Sequence, residues 1–393
     1  MTFGVDLSAV ASPGTLRYTE HLVPAMLREL RAEEDLTLYV NRAAGEVIGP
    51  GSKGLRLVFV PSWVTGAKTR LLWGQWQLPR RFRRDGVDVA FAPFDISPLR
   101  TAVPMVVGVR NPMPLRVTSD ETADASFAIR RRVHERLTSA SVKRAVFASY
   151  PTAFAAKYLG ALQEVPSAKR RVVHHGVDYE YWSTRKASEP KQRFGFDGRP
   201  YFLYVSQYYS YKNPVLTVES FLRFRQRNPE IIAGLILTGD CSATPSGREA
   251  VQRARDSSLR DFILFTGLVD RDSLRTLYQN AVGLLMLTSL ETFGHPFVEA
   301  MAAGTPVIRL ESEFGEEICG SGSVVSGGAD CEAVCAAMER VMLDLEFRAG
   351  VVRAAEARVR TFSWDREASE TLDLLREAYR VSAEAVNDEG TGA

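Results

Sequence analysis

Apolar residues in this chain follow two alternating patterns. Short unbroken apolar runs, as in strands buried on both faces, are separated by stretches where apolar positions return every three to four residues, as on one face of a helix. The clearest step begins with the run Ala281 to Leu287. Pro296 follows where a helix can start without wasting a donor, Gly304 and Pro306 stop that helix, and Val307 and Ile308 open the next strand. This reads as one βαβ step of a parallel sheet. The same alternation predicts strands at residues 3–7, 36–40, 55–60, 87–91, 105–109, 201–205, 233–238 and 262–266. Helices are expected through Leu22, Val23, Met26, Leu27 and Leu30, over 215–227, 245–256, 272–279, 331–344 and 346–359, and from Trp364 to about Val386. The fold class is α/β.

Length turns this pattern into two domains. The chain has 393 residues, of which 45% are hydrophobic, enough for two cores. The charged, Gly- and Pro-containing stretch Lys186 to Pro200 is the expected linker. The domains are then 1–186 and 200–365, with a terminal helix over 366–386 and a disordered tail over 387–393.

The chemistry is expected where parallel sheets bind ligands, beyond the carboxyl ends of the strands. The loop from Glu291 to His295 would lie there. Free backbone N–H groups of Phe297 and Val298, at the positive end of the following helix, would suit a phosphate. Glu291 and Glu299 flank that anion site and could grip hydroxyls; the alternative is that both are solvated charges at a helix end.

Charge and cysteines narrow the setting. A formal charge of +2 argues against nucleic acid as the main partner. The cysteines, Cys241, Cys319, Cys331 and Cys335, form no Cys-x-x-Cys pair, and no apolar run suggests a signal peptide or membrane span. A cytoplasmic location follows as the expectation. The stretch Arg70 to Arg84 mixes arginines with Trp73 and Trp76. It reads either as a helix with a solvated basic side or, through Arg80, Arg81, Arg83 and Arg84, as a peripheral contact with the inner membrane face. A second basic stretch, Arg130 to Arg136, leaves both readings open. Asp270-Arg271-Asp272 could hold a metal, but it directly precedes a helix and is expected to cap it, so no metal site is assigned.

Glu291 and Glu299, with Phe293-Gly294-x-Pro296 between them and Glu299-Ala300-Met301-Ala302-x-Gly304-x-Pro306-Val307 after, resemble the signature of the retaining glycosyltransferases of family four. That resemblance implies the GT-B fold: two Rossmann-like domains with parallel sheets facing a central cleft, and a C-terminal helix crossing back to the first domain. It further implies a hexose or deoxyhexose moved from a UDP or GDP sugar to a carbohydrate, glycolipid or natural-product acceptor with retention, and no cofactor. Glu299 would hold the ribose and Glu291 the transferred sugar, with Gly294 and His295 in the loop beside it. Lys212, in Lys212-Asn213-Pro214, would join Phe297 and Val298 on the diphosphate. Gln207 stands where the family commonly has arginine. The resemblance implies that Gly14, in the first loop, lies against the donor diphosphate and borders the acceptor, and that Tyr18 is on the acceptor side. Arg110 and Asn111 replace a common His-Asp pair, and Arg110 is expected either to hold a substrate anion or to form a structural salt bridge. His174 and His175 are expected to be turn residues. Two other readings stay open: a catalytically silent GT-B subunit that binds a nucleotide sugar or partner enzyme, and a sugar-nucleotide epimerase or phosphorylase. Oligomeric state is not assigned.

Overall fold

The structure is a computed structural model that describes residues 1–10, 12–49, 54–111, 125–185 and 198–391. Most of the expected linker, residues 186–197, lies outside the described residues. Within them the chain divides into two compact units. The first takes residues up to 111, 125–176 and from 364 onward; the second takes 177–363.

The first unit is built on seven parallel strands: β1 (Thr2–Leu7), β2 (Asp35–Val40), β3 (Leu55–Phe59), β4 (Val89–Ala92), β5 (Met105–Gly108), β6 (Phe147–Tyr150) and β7 (Arg170–Val172). Their spatial order is β3-β2-β1-β4-β5-β6-β7. In the second unit β8 (Tyr201–Val205), β9 (Gly234–Thr238), β10 (Ile263–Gly267), β11 (Gly283–Met286), β12 (Val307–Arg309) and β13 (Ser323–Val325) form a parallel sheet in the order β10-β9-β8-β11-β12-β13. Each sheet reverses its order once, between β1 and β4 and between β8 and β11. Loops leaving the two strands at such a reversal diverge and open a crevice, so each reversal is a place where a ligand can fit.

Strands β6 and β13 were not expected. They have four and three residues, too short to leave an apolar run distinct from the helices beside them.

The core of the first unit packs Phe3, Val5 and Leu7 of β1 against Leu22, Val23 and Met26 of the helix Pro13–Glu29 and against Leu372, Leu375 and Ala378 of the terminal helix Trp364–Thr391. Ser12 starts the first of these helices by accepting from the Thr15 amide. Arg376 clasps Glu34 with two bonds of 2.7 and 2.8 Å, and Arg28 reaches Asp365. The terminal helix continues past Val386 to Thr391, because each added residue of a formed helix costs little compared with starting one.

In the second unit Phe202, Tyr204, Leu235, Leu237, Leu285 and Leu287 meet Val218, Phe221, Val334 and Met338 of the flanking helices. The short helix Tyr179–Ser183 belongs here and not with the residues before it. Its Trp182 packs edge-on to Tyr278, Arg271 stacks over Tyr181, and Arg271 pairs with Asp178 at 3.1 Å.

Candidate functional site

Two loops leave the reversal of the second sheet, and hydrogen bonds tie them together. From β8 come residues 206–213, and from β11 residues 287–294. Ser289 donates its amide to the Tyr211 carbonyl at 2.8 Å, and the Asn213 side chain donates to the Leu287 carbonyl at 2.7 Å. Asn213 sits in the left-handed region, φ 51°, and the helix Pro214–Arg227 starts from it. That turn aims Lys212 inward. The Lys212 ammonium bonds to the Glu291 carboxylate, and both side chains are nine-tenths buried. Sequence reasoning gave the two residues separate tasks and missed this contact, which lies 79 positions apart in the chain.

Gly294 turns the second loop into the helix His295–Ala302 with φ 81° and ψ 68°. A Cβ there would lie 2.6 Å from the buried Phe297 ring and 3.4 Å from Glu291. Left-handed backbone costs a non-glycine residue about 1–2 kcal/mol before any clash. Gly294→Ala should therefore displace Glu291 and weaken nucleotide binding several-fold, read by titration with UDP and GDP; unchanged affinity would mean that the loop geometry is dispensable.

Glu299, one turn into that helix, is 5% exposed and accepts from the Tyr278 hydroxyl at 3.3 Å. It is thus no solvated helix-end charge. Phe297 departs from expectation, because its amide is occupied by the Gly294 carbonyl at 2.9 Å. The left-handed cap folds the first turn tightly enough to use that donor internally. His295 is the first residue of the helix, exposed, with its ring edge-on to Phe293 at 5.3 Å. Gln207 is exposed, and its carbonyl accepts from Tyr204. Lys212 and Glu291 thus meet where the two loops join, and Gly294, His295 and Glu299 follow in the next stretch of chain.

Asp270 caps the helix Arg271–Asn280 by accepting from the Ser273 amide at 2.8 Å, while Asp272 takes the Tyr181 hydroxyl and Arg275. Among the described residues no group of three His, Cys, Asp or Glu side chains could hold a metal.

The reversal of the first sheet carries a cavity of about 300 Å³. Asp6 and Ser8 at the end of β1, Phe94 and Asp95 after β4, Arg70 and His134 line it. Burial raises the Asp6 carboxyl above its usual range, against the opposing effect of bonds from Ser8. Arg70 and His134 were marked from sequence only as parts of the two basic stretches and the others were given no site role, although the strand order marks their loops.

The acceptor-side residues expected from sequence lie elsewhere. Arg110 stacks 3.5 Å over the Tyr18 ring and points to Glu367 at 3.7 Å, and its side chain is 17% exposed. Of its two expected uses, the structural salt bridge is the one formed. His175 is more than a turn residue: its Nδ1 lies 2.9 Å from the same carboxylate, whose other oxygen accepts the Gly176 amide at 2.8 Å. Arg110 and Asn111 donate their amides to Asp95, so they shape the cavity wall through the backbone. Gly14 is exposed in the first helical turn, and a Cβ there would meet nothing closer than 4.0 Å.

Residues 186–358 match the model of the glycosyl transferases group 1 family. That match covers less than half of the chain, almost all of it in the second unit, so it is the second unit that resembles the glycosyl transferases group 1 family. The chain is 26% identical over 211 residues to a D-inositol 3-phosphate glycosyltransferase of Salinispora tropica, covering 51% of this chain and 43% of the relative. The chain spans about half the length of the curated relatives it matches. Among solved structures, Anabaena Alr3699/HepE in complex with UDP aligns with a TM-score of 0.70 at 15% identity, covering 96% of this chain and 99% of that one. Sucrose-phosphate synthase from Thermosynechococcus elongatus aligns at 0.69 and 15% identity, covering 97% and 100%. At those identities the likeness concerns the fold. Among the described residues, no helix is long and apolar enough to cross a membrane.

Proposed function

We propose that this chain transfers a hexose or deoxyhexose from a UDP or GDP sugar to a carbohydrate, glycolipid or natural-product acceptor, with retention of configuration and without a metal. The observation that carries the reading is the buried Lys212–Glu291 pair at the sheet reversal, with Glu299 buried one helical turn beyond Gly294. Before donor binds, each charge of the pair neutralises the other. A diphosphate would draw Lys212 to itself and free Glu291 for the sugar hydroxyls, so the same lysine would offset the negative charge that grows on the departing nucleotide. Glu299 would accept from the ribose hydroxyls. Exposed His295 would face the sugar, and the leaving phosphate oxygen would act as base on that face. The acceptor would occupy the first-unit cavity, where Asp6, Asp95 and His134 suit a hydroxylated molecule and Arg70 an anionic substituent. The complex of Anabaena Alr3699/HepE with UDP-glucose, at a TM-score of 0.70, supports a nucleotide-sugar donor. Four free cysteines fit a cytoplasmic setting.

A thermal-shift screen of sugar nucleotides in the presence of chelator tests the proposal. The true donor at a hundred times its dissociation constant should add about 2.7 kcal/mol, and Glu299→Ala should remove most of the shift. A shift that depends on added magnesium or manganese would overturn the metal-free site. Binding with no transfer to any acceptor would favour a silent subunit, and product formed with water or phosphate alone an epimerase or phosphorylase.

A further inference from the structure

The arginine and tryptophan stretch of the first unit has a feature that helical periodicity hides. The helix Ala67–Leu72 runs into a π turn over Trp73–Gln77, closed by the Leu78 amide on the Trp73 carbonyl five residues back, and then into the helix Leu78–Arg84. In a regular α-helix Trp73 and Trp76, three apart, would share a face. The wider turn separates them: Trp73 is 2% exposed, in the core, and Trp76 is 67% exposed. Leu72 beside them is 51% exposed. Gln75, within the turn, clamps the loop after β4 by donating to the Ser97 carbonyl at 2.9 Å and accepting the Leu99 amide at 2.8 Å. That clamp brings Arg100 to the turn. Gln75, Trp76, Pro79, Arg80, Arg83 and Arg100 then line a cavity of about 470 Å³.

No carboxylate lines that cavity, and among the described residues none pairs with Arg80, Arg83 or Arg100. Elsewhere on this chain arginines are commonly paired, as Arg223 and Arg227 are with Glu332. Three guanidinium groups without a carboxylate partner, of which Arg80 donates to the Trp76 carbonyl at 2.9 Å, surround a tryptophan turned outward beside an exposed leucine, and so combine phosphate recognition with apolar surface. A water-filled site gains nothing from that apolar surface, whereas the boundary between lipid headgroups and acyl chains satisfies both parts. We infer that this cavity and the Trp76 edge form a docking surface for an anionic bilayer, in which a lipid phosphate sits among Arg80, Arg83 and Arg100. The surface uses first-unit residues only and stands whether or not the proposed transfer reaction is right. Of the four arginines marked from sequence, Arg80 and Arg83 line it, Arg84 is exposed beyond it, and Arg81 is half-buried.

Sedimentation of the full chain with vesicles tests this at low salt. The chain should co-sediment with vesicles containing roughly one-third phosphatidylglycerol and stay in solution with pure phosphatidylcholine, because each surface cation contributes about 1 kcal/mol to an anionic membrane. Arg83→Ala with Arg100→Ala should lower that partition roughly thirtyfold. Trp76→Ala should lower it further, and all three should keep the wild-type melting temperature, since the side chains are exposed. Equal binding to both vesicle types, or unchanged binding by the double variant, would overturn the proposal. So would glycerol phosphate that stabilises the chain and releases it from vesicles, which would assign the cavity to a soluble anion.

Discussion

Glu291→Ala should cut sugar transfer about 100- to 1000-fold and, in the same protein, leave the second unit measurably less stable. Both effects come from the Lys212–Glu291 pair. Each side chain is only about one-tenth exposed, so removing the carboxylate leaves an ammonium ion with little water and no counter-charge. Breaking a buried pair in that way costs about 3–5 kcal/mol. The transfer rate should fall about 100- to 1000-fold from the loss of one fixed electrostatic contact to the developing charge. Since an unfolded enzyme is also inactive, a second variant separates the effects. Lys212→Met combined with Glu291→Leu removes both charges and fills the space, which by precedent is near neutral for stability or favourable. That double variant should melt close to wild type and still show the loss of transfer. Transfer within a few-fold of wild type by the double variant would remove both residues from the site.

The parts of this molecule that were legible in the sequence are those written in short-range pattern. The run Ala281 to Leu287, the helix after Pro296 and the stop at Gly304 are local signals, and β11, the helix His295–Ala302 and β12 appear where they pointed. The family motif lies in the same stretch, so Glu291, Gly294 and Glu299 could be named. What could not be read is contact across the chain. Lys212 finds Glu291 only because β8 and β11 are sheet neighbours, and Arg110 finds Glu367 only because the terminal helix packs on the first sheet. Arg110 shows the limit well: a guanidinium at a strand end is chemically suited to substrate or carboxylate, and its partner is 257 positions away. The π turn at Trp73–Gln77 was illegible for another reason. Its residues have ordinary helical propensities, and the inserted register is set by burying Trp73 while Gln75 holds the neighbouring loop.

Glu367→Ala should loosen the terminal helix, and acid should do the same to the wild-type chain in two stages. Glu367 is 1% exposed, with His175, Arg110 and the Gly176 amide around its carboxylate. Burial alone would raise its pKa; the His175 and Arg110 charges and the Gly176 bond outweigh that and hold it below the ordinary value. Burial, helped by the Arg110 charge, lowers His175 against the pull of Glu367. The signs agree. A folded His175 that resists protonation is destabilising below the ordinary value of 6.5, where the unfolded chain takes up the proton first. A depressed Glu367 contributes stability above the ordinary 4.5 that is lost as pH falls through its lower folded value. Amide exchange of the helix Trp364–Thr391, followed from pH 8 downward and corrected for the intrinsic rate, should show protection falling first below about 6.5 and again below about 4.5. Glu367→Ala should cost the helix about 3–5 kcal/mol of protection, because it removes the buried carboxylate that Arg110, His175 and the Gly176 amide share. His175→Gln should flatten the first stage and leave the second. Protection that is flat from pH 8 to 4 in the wild type, or unchanged by Glu367→Ala, would mean that the apolar contacts of Leu372 and Leu375 hold this helix without the charged cluster.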